Sequence, residues 1–402
     1  MKDKLVIRNL YKIYGPEPDK AWELLESGLT KDEIFARTRT TIGVQNANFT
    51  VREGEVFVIM GLSGSGKSTL VRMFNRLIEP TYGEVLLDGM DVVKMNQREL
   101  IHMRRTQMSM VFQSFALLPH KTVAENTAFG LEISAVGQEE RRHRALRALE
   151  TVGLRQHADS YPEQLSGGMK QRVGLARALA TEAPILLMDE AFSALDPLIR
   201  TGMQDELVRL QQREAHTIIF ISHDLDEAIR IGDRIAIMEG GAVVQIGTPE
   251  DIVTNPANEY VRSFFYGVDV SKVFSARDIA EDGALTIFEQ SGLDIRAALA
   301  RLHEQQDTLA VVLDGDRYRG MVSTSSLAHR VAEKDNQVTD SQAEWEGAFL
   351  AEVTFAAGDL DLSEVLSLVA ESEYPVPVVD EAGKYLGIID RRILLQTLNK
   401  TS

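Results

Sequence analysis

The run VFVIM-GLSGSGKS-TLVRMFNRLI, Val56–Ile78, constrains this chain more than any other stretch. Val56–Met60 is a short apolar segment ending in glycine, which reads as a buried strand. The residues after Ser68 have helical character. Between the two, Gly61, Gly64 and Gly66 let the backbone bend so that successive N–H groups point at one place. The following helix adds the positive end of its dipole. A strand, a glycine loop closing on Lys-Ser and a helix are the context that a phosphate-binding loop needs. Lys67 can bridge the terminal phosphates of a nucleotide, and Ser68 can hold a magnesium ion. The expected nucleotide contacts of the loop are Gly61, Ser63, Gly64, Gly66, Lys67, Ser68 and Thr69.

Other segments repeat the strand–helix rhythm. Ile185–Met188 and Ile218–Ile221 are apolar runs next to helical patterns, so the expectation is an α/β fold with a parallel sheet covered on both faces. Leu5–Leu10 alternates like a further strand. From Pro16 to about Thr41 the chain is charged and helix-prone. Leu24, Leu25, Leu29, Ile34 and Phe35 fall near helical spacing there, which predicts one or two short amphipathic helices. Asn255-Pro256 breaks the pattern, and a helix around Glu259–Tyr266 is expected to close the first domain.

Two further motifs carry chemistry. ILLMDE, Ile185–Glu190, places two carboxylates at the C-terminal end of a buried strand, where open α/β sheets bind ligands. Asp189 suits magnesium, directly or through water. Glu190 suits a general base for an attacking water. LSGGMKQR, Leu165–Arg172, offers the Ser166 hydroxyl and the N–H groups of Gly167 and Gly168 at a helix start, a second phosphate-binding surface. One nucleotide cannot easily use both surfaces of one subunit. A head-to-tail dimer resolves this, each nucleotide lying between the loop of one copy and Ser166–Gly168 of the other.

Composition removes several classes of function. The 402 residues suggest two or three domains. With 43 Lys+Arg against 60 Asp+Glu, the net charge of -17 argues against a general nucleic-acid or anionic-membrane binder. The chain has no cysteine, which excludes disulfides and thiolate chemistry. MKDKLVIRNL has no apolar stretch of the length expected of a signal peptide, and no uncharged apolar run approaches the ~20 residues of a membrane span. A role at a membrane therefore requires a partner.

The tail is more acidic still, with 12 basic and 23 acidic residues over 271–402. It also repeats itself. Leu309–Leu327, LAVVLDGDRYRGMVSTSSL, aligns with Val376–Leu395, VPVVDEAGKYLGIIDRRILL. Both read as strand, glycine turn, strand and helix, a paired module and not a solenoid.

Together these motifs, with Gln113, Ser193–Asp196 and His223, resemble the nucleotide-binding subunit of an ATP-binding-cassette (ABC) transporter over roughly residues 4–265. The resemblance implies a P-loop NTPase cassette at 1–270, with a parallel-sheet core, a helical subdomain, a small antiparallel part and a helical insertion at about 16–42. It implies that ATP and Mg2+ are bound. Gln113 would contact magnesium and water and couple the site to the membrane subunit, beside Ser68 and Asp189 on the metal. Asp196 would line the dimer interface, His223 would contact the γ-phosphate and support Glu190, and Tyr14 would stack on adenine. The signature ends in Met169 where the family has Gln; the phosphate donors precede it.

The insertion, the variant signature LSGGMKQRVGLARAL, DEAFSALDPLIR, SHDLDEAIRIGDRIAIM and the C-terminal pair narrow the resemblance to the glycine betaine and proline betaine importers. The pair at 271–402 resembles tandem cystathionine-β-synthase-type (CBS) modules. Nucleotide-binding members carry Ser or Thr followed three residues later by Asp on the ribose. This chain has Ser323 with Ser326, and Asp390 with Ile393. A dimerisation module and a sensor of osmotic or ionic state are both open for the pair. The implied partners are a second copy of the chain, an integral permease and, through it, an extracytoplasmic solute-binding protein. The implied place is the cytoplasmic face of the inner membrane, peripherally, with no nucleic-acid partner. Competing readings are an importer of another solute such as an amino acid, a soluble ABC ATPase acting on DNA or ribosomes, and a regulatory adenylate-binding protein.

Overall fold

The computed structural model describes residues 2–112, 115–193, 195–214, 216–265, 273–282, 286–289, 294–334, 345, 347–351 and 353–400. The chain divides into two compact units, residues 1–266 and 267–402.

The first unit contains two sheets. Strands β1 (Asp3–Tyr14), β2 (Thr41–Arg52), β4 (Tyr82–Leu87) and β5 (Met90–Asp91) form an antiparallel sheet in the order β2-β1-β4-β5. Strands β3 (Val56–Met60), β6 (Met108–Val111), β7 (Ile185–Asp189), β8 (Thr217–Ile221), β9 (Arg234–Glu239) and β10 (Ala242–Gly247) form the second, in the order β10-β9-β3-β8-β7-β6. Its ladders are parallel except for the edge strand β10, which turns back on β9. Every residue of β3, β7 and β8 is buried, as expected for strands covered on both faces. The core between the sheets joins Leu5, Ile7 and Phe49 from the antiparallel sheet to Phe57 and Ile59 of β3 and to Leu70, Val71 and Phe74 of the helix Lys67–Phe74. Phe49 stacks on Phe57 with centroids 5.2 Å apart and meets Phe74 edge-on at 6.1 Å.

Register decides where loops emerge. Ile59 of β3 pairs with Ile221 of β8, and Ile221 pairs with Asp189 of β7. Three adjacent strands therefore end level with one another, and the segments after Met60, Asp189 and Ile221 leave the sheet side by side. Helices Val123–Ile133, Gln138–Thr151 and Gly167–Leu179 pack on one another as a helical group. Residues 16–42 hold two helices, Pro18–Glu26 and Lys31–Thr38. The second opens on a Thr30/Glu33 capping box, a recognised start signal. They have a small core of their own, Ala21 and Ile34 with Ile13 and Ile42, closed by Trp22 packed 4.4 Å from Tyr11 and 4.5 Å from Tyr82.

The second unit contains two three-stranded sheets of one topology. β11 (Thr286–Glu289) is parallel to β12 (Leu309–Asp314), and β12 is antiparallel to β13 (Arg317–Ser323). β14 (Ala356–Ala357) is likewise parallel to β15 (Val376–Val379), which is antiparallel to β16 (Tyr385–Ile389). The strand–turn–strand–helix repeat read from the sequence is the second half of each module, since helices Thr324–Lys334 and Arg391–Lys400 follow. The two turns join: Tyr318 N–H donates to Gly383 O at 3.1 Å, Tyr385 N–H donates to Asp316 O at 2.9 Å, and the two tyrosine rings stack at 6.5 Å. Burial pushes both phenols up, Tyr385 to about 12. Among the described residues no helix is long and apolar enough to cross a membrane.

Candidate functional site

The loop after β3 is shaped by glycine where nothing larger fits. Gly61 has φ 149°, and a Cβ there would lie 2.3 Å from Met238 O; Gly66 has φ 99°, and a Cβ there would lie 2.4 Å from Gly43 O. Gly64, also at positive φ, faces open space, and Ser63 beside it is exposed. The loop is held from outside as well. Tyr260 Oη accepts from Leu62 N–H at 3.3 Å and donates to Met238 O at 3.1 Å, while Gly241 N–H donates to Ser65 O at 2.9 Å.

Gly66 is the N-cap of the helix Lys67–Phe74, and no side chain caps it. The first N–H groups of the helix, including those of Lys67, Ser68 and Thr69, are thus left for a ligand. Lys67 is buried, and its Nζ donates to Gly61 O at 2.7 Å and Leu62 O at 2.9 Å, spanning the loop. An ammonium has three protons, so one remains for an incoming oxygen. Burial lowers the Lys67 pKa, and the charges of Glu190 and Asp189 oppose that shift. Ser65 Oγ is buried without a hydrogen-bond partner. Open N–H groups, a buried cation and an unsatisfied hydroxyl around one loop fit a polyphosphate.

Asp189, with no exposed side-chain surface, accepts from Ser68 Oγ at 2.7 Å through Oδ1. Its Oδ2 accepts from Arg72 Nη2 at 2.9 Å and Nε at 3.2 Å. Sequence reading missed Arg72. It lies four residues after Ser68, one helical turn on and therefore on the same face, which was the available signal. Serine hydroxyl and carboxylate in contact are the hard oxygen donors that magnesium takes in company with phosphate oxygens.

Glu190 follows in the left-handed region at φ 48°, a strain that a non-glycine residue carries at about 1–3 kcal/mol. The Glu190 side chain is 19% exposed. Ser193 N–H and Oγ both donate to Glu190 O, at 3.2 and 2.9 Å. His223, on the loop after β8, approaches with Nδ1 3.9 Å from Glu190 Oε1 and is 58% exposed. Ser222 beside it donates to the buried Glu227, whose Oε1 accepts from Gln204 Nε2 at 3.0 Å. Burial pushes the Glu227 carboxyl up, against those two hydrogen bonds. This network, which sequence reading also missed, ties the His223 loop to the helix Pro197–Glu214.

The remaining predicted residues divide. Tyr14 closes the loop's far side: its Oη donates to Thr69 Oγ1 at 3.4 Å, and Lys12 Nζ lies 5.0 Å over its ring. Asp196 Oδ1 accepts from Ile199 N–H at 3.1 Å at the start of the helix Pro197–Glu214. Ser166 is the N-cap of Gly167–Leu179, its Oγ accepting from Met169 N–H at 3.3 Å. A Cβ on Gly168 would lie 3.3 Å from Leu195 Cδ2. The hydrogen bonds of Ser166 stay within its own helix, so the structure does not join Ser166–Gly168 to Gly61–Ser68 of the same chain. Gln113 lies outside the described residues. In the second unit, Ser323 Oγ accepts from Ser326 N–H at 2.9 Å and Asp390 Oδ1 from Ile393 N–H at 2.7 Å, so both positions act as helix caps.

Comparison with known proteins places the chain in a family. Residues 44–193 match the ABC transporter family and residues 351–400 the CBS domain family. The chain is 53% identical over 403 residues to ProV, the ATP-binding protein of a glycine betaine/proline betaine transport system in Salmonella typhimurium, covering all of this chain and 98% of that one. It is 48% identical over 396 residues to the glycine betaine/carnitine transport ATP-binding protein GbuA of Listeria monocytogenes, covering 98% of each. The dimeric post-hydrolysis structure of the ATP-binding cassette MJ0796 with ADP and Pi superposes with TM-score 0.52 at 33% identity, covering 61% of this chain and 98% of that one. The chain belongs to the ABC transporter family, in the group of ATP-binding proteins of glycine betaine/proline betaine transport systems.

Proposed function

We propose that this chain hydrolyses ATP to power uptake of a quaternary-amine compatible solute, of the glycine betaine or proline betaine type, through a partner permease. The observation that carries this reading is the meeting of Lys67, Ser68, Asp189 and Glu190 at the level ends of β3 and β7, with β8 between them, in a chain 53% identical to ProV over its whole length. The loop N–H groups and Lys67 bind the β- and γ-phosphates of ATP and fix them at the C-terminal ends of the strands. Ser68 and Asp189 hold Mg2+, with Gln113. That ion, when bound, neutralises charge on the terminal phosphates. Arg72 holds the Asp189 carboxylate in place beside Ser68. Glu190 orients the attacking water and takes its proton, and His223 contacts the γ-phosphate. Tyr14 stacks on adenine.

Ser166, Gly167 and Gly168 serve the nucleotide of a second copy, with Asp196 at the shared interface. Catalysis is then positional and electrostatic and needs no covalent intermediate. Hydrolysis removes charge that holds the two faces together, and the opening and closing of the pair drives the permease. The assembly sits peripherally at the cytoplasmic face of the inner membrane, and solute reaches it from an extracytoplasmic binding protein. Residues 1–270 are the motor, and 271–402 the tandem CBS-type regulatory pair.

Reconstitution with the permease tests the reading. ATP-driven accumulation of labelled glycine betaine is expected, and Lys67→Ala is expected to reduce it more than 100-fold, a change of over about 2.7 kcal/mol. Uptake that persists in Lys67→Ala would remove this chain as the motor.

A further inference from the structure

We propose that the two inserted helices form a clasp on the nucleotide loop, and that Lys31 is the positioning residue through which they act. The inference rests on the reading that ATP is the ligand of that loop.

Two segments wall the loop from behind. One is the turn Gly240–Gly241 between β9 and β10; the other is the start of β2, Ile42 to Gln45. Gly66 touches the second wall so closely that a Cβ would lie 2.4 Å from Gly43 O. Ser65 is bonded to the first through Gly241 N–H at 2.9 Å, and the walls join through Gln45 N–H donating to Gly241 O at 2.8 Å.

Lys31, the first residue of the second inserted helix, ends in both walls at once. Its ammonium donates to Gly240 O and, at 3.1 Å, to Ile42 O. It fills the space beside Gly241, where a Cβ would lie 2.6 Å from Nζ. Gly240 lies 209 residues away in sequence and Ile42 only 11, so the one side chain joins a distant turn to a nearby strand. The insertion is itself anchored: a Cβ on Gly15 would lie 2.7 Å from Thr40 Cα, so its two ends meet, and Tyr14 at the entry presses on Gly43 while reaching Thr69. Burial lowers the Lys31 pKa to about 8, so holding a cation there carries a desolvation penalty. A neutral side chain on a solvated helix would avoid that penalty. The ammonium supplies a donor to each of two carbonyls and ties the turn that is bonded to Ser65.

Affinity for a polyphosphate depends on loop N–H groups that already converge before the ligand arrives. Releasing one wall lets the loop relax and lowers ATP affinity, while Asp189 and Glu190, at the end of β7 two strands away, keep their geometry. Lys31 is therefore a residue of the binding step and not of the chemical step.

The test uses the full chain assembled with its permease and the variant Lys31→Met, which keeps length and removes the donors. The expected result is a KM for ATP raised about five- to tenfold with kcat within twofold. Amide hydrogen exchange in the nucleotide-free chain is expected to speed up over residues 61–66 and not across the parallel sheet. An unchanged KM with unchanged loop exchange would overturn the proposal. Faster exchange spread evenly over residues 1–266 would also overturn it, because Lys31 would then be merely structural. Absence of ATP turnover in the unsubstituted assembly would sink the ATP reading alone, since the exchange experiment still measures the clasp.

Discussion

The loop Gly61–Ser68 and the glycine pair after Ser166 are both helix starts, but they are built to different degrees. The helix after Gly66 has no side-chain cap, a buried lysine across its mouth and backbone pressed on two sides. The helix after Ser166 is capped by that serine, and its donors face no partner within the loop of the same chain. One end is prepared for a polyanion before any arrives. The other is a stable helix end that can add to a phosphate already held. Such asymmetry suits a site divided between two copies, in which the capture half is rigid and the closing half docks afterwards.

The largest effect separating the two halves is expected from Glu190→Gln. It removes the proton acceptor and leaves the loop, so turnover should fall by about 10²–10⁴-fold while ATP binding and the paired state persist. Single-turnover kinetics and size-exclusion with ATP measure both; normal hydrolysis would remove the role given to Glu190. Next comes Ser166→Asp. Aspartate is as good an N-cap as serine, so the melting temperature of the nucleotide-free protomer should hardly move. Its negative charge facing a γ-phosphate should abolish ATP-dependent pairing, and pairing that survives would show that Ser166 does not meet the partner's nucleotide. The smallest effect is expected from Arg72→Met. Breaking a fully buried ion pair costs about 3–5 kcal/mol, but the Arg72 side chain is 37% exposed, so about 2 kcal/mol is the discounted expectation. Denaturant unfolding with and without Mg-ATP measures it. An equal loss in both conditions would mean that Arg72 supports the fold only.

The second unit supplies a comparison within itself. Its two halves share strand order, yet the first spends Ser323 and the second Asp390 on capping the helix that follows. Both side chains bond the N–H three residues on, which explains a Ser in one and an Asp in the other: either makes a good N-cap.

Much of the fold is legible in the chain because its elements carry local signatures. β3, β7 and β8 are apolar runs without alternation, as parallel strands buried on both faces must be. β1 is longer than the alternation of Leu5–Leu10 shows, since register shifts between Ile7 and Leu10 and between Leu10 and Lys12 interrupt the period. β14 has two residues, too few to leave any period. In the site, the glycines and the residues they flank announce themselves because backbone geometry demands them.

Sequence alone determined the elements whose causes are local: the bend that only glycine permits, the cap that holds a helix start and the buried strand that ends in two carboxylates. Tertiary structure decided who meets whom. Arg72 finds Asp189 across 117 residues, Lys31 finds Gly240 across 209, and Gln204 finds Glu227 across 23. No periodicity encodes such pairings, because they depend on sheet order and register, which bring the ends of β3, β8 and β7 level. Hydrogen bonds are short-ranged and directional, so they form only after packing has set those positions.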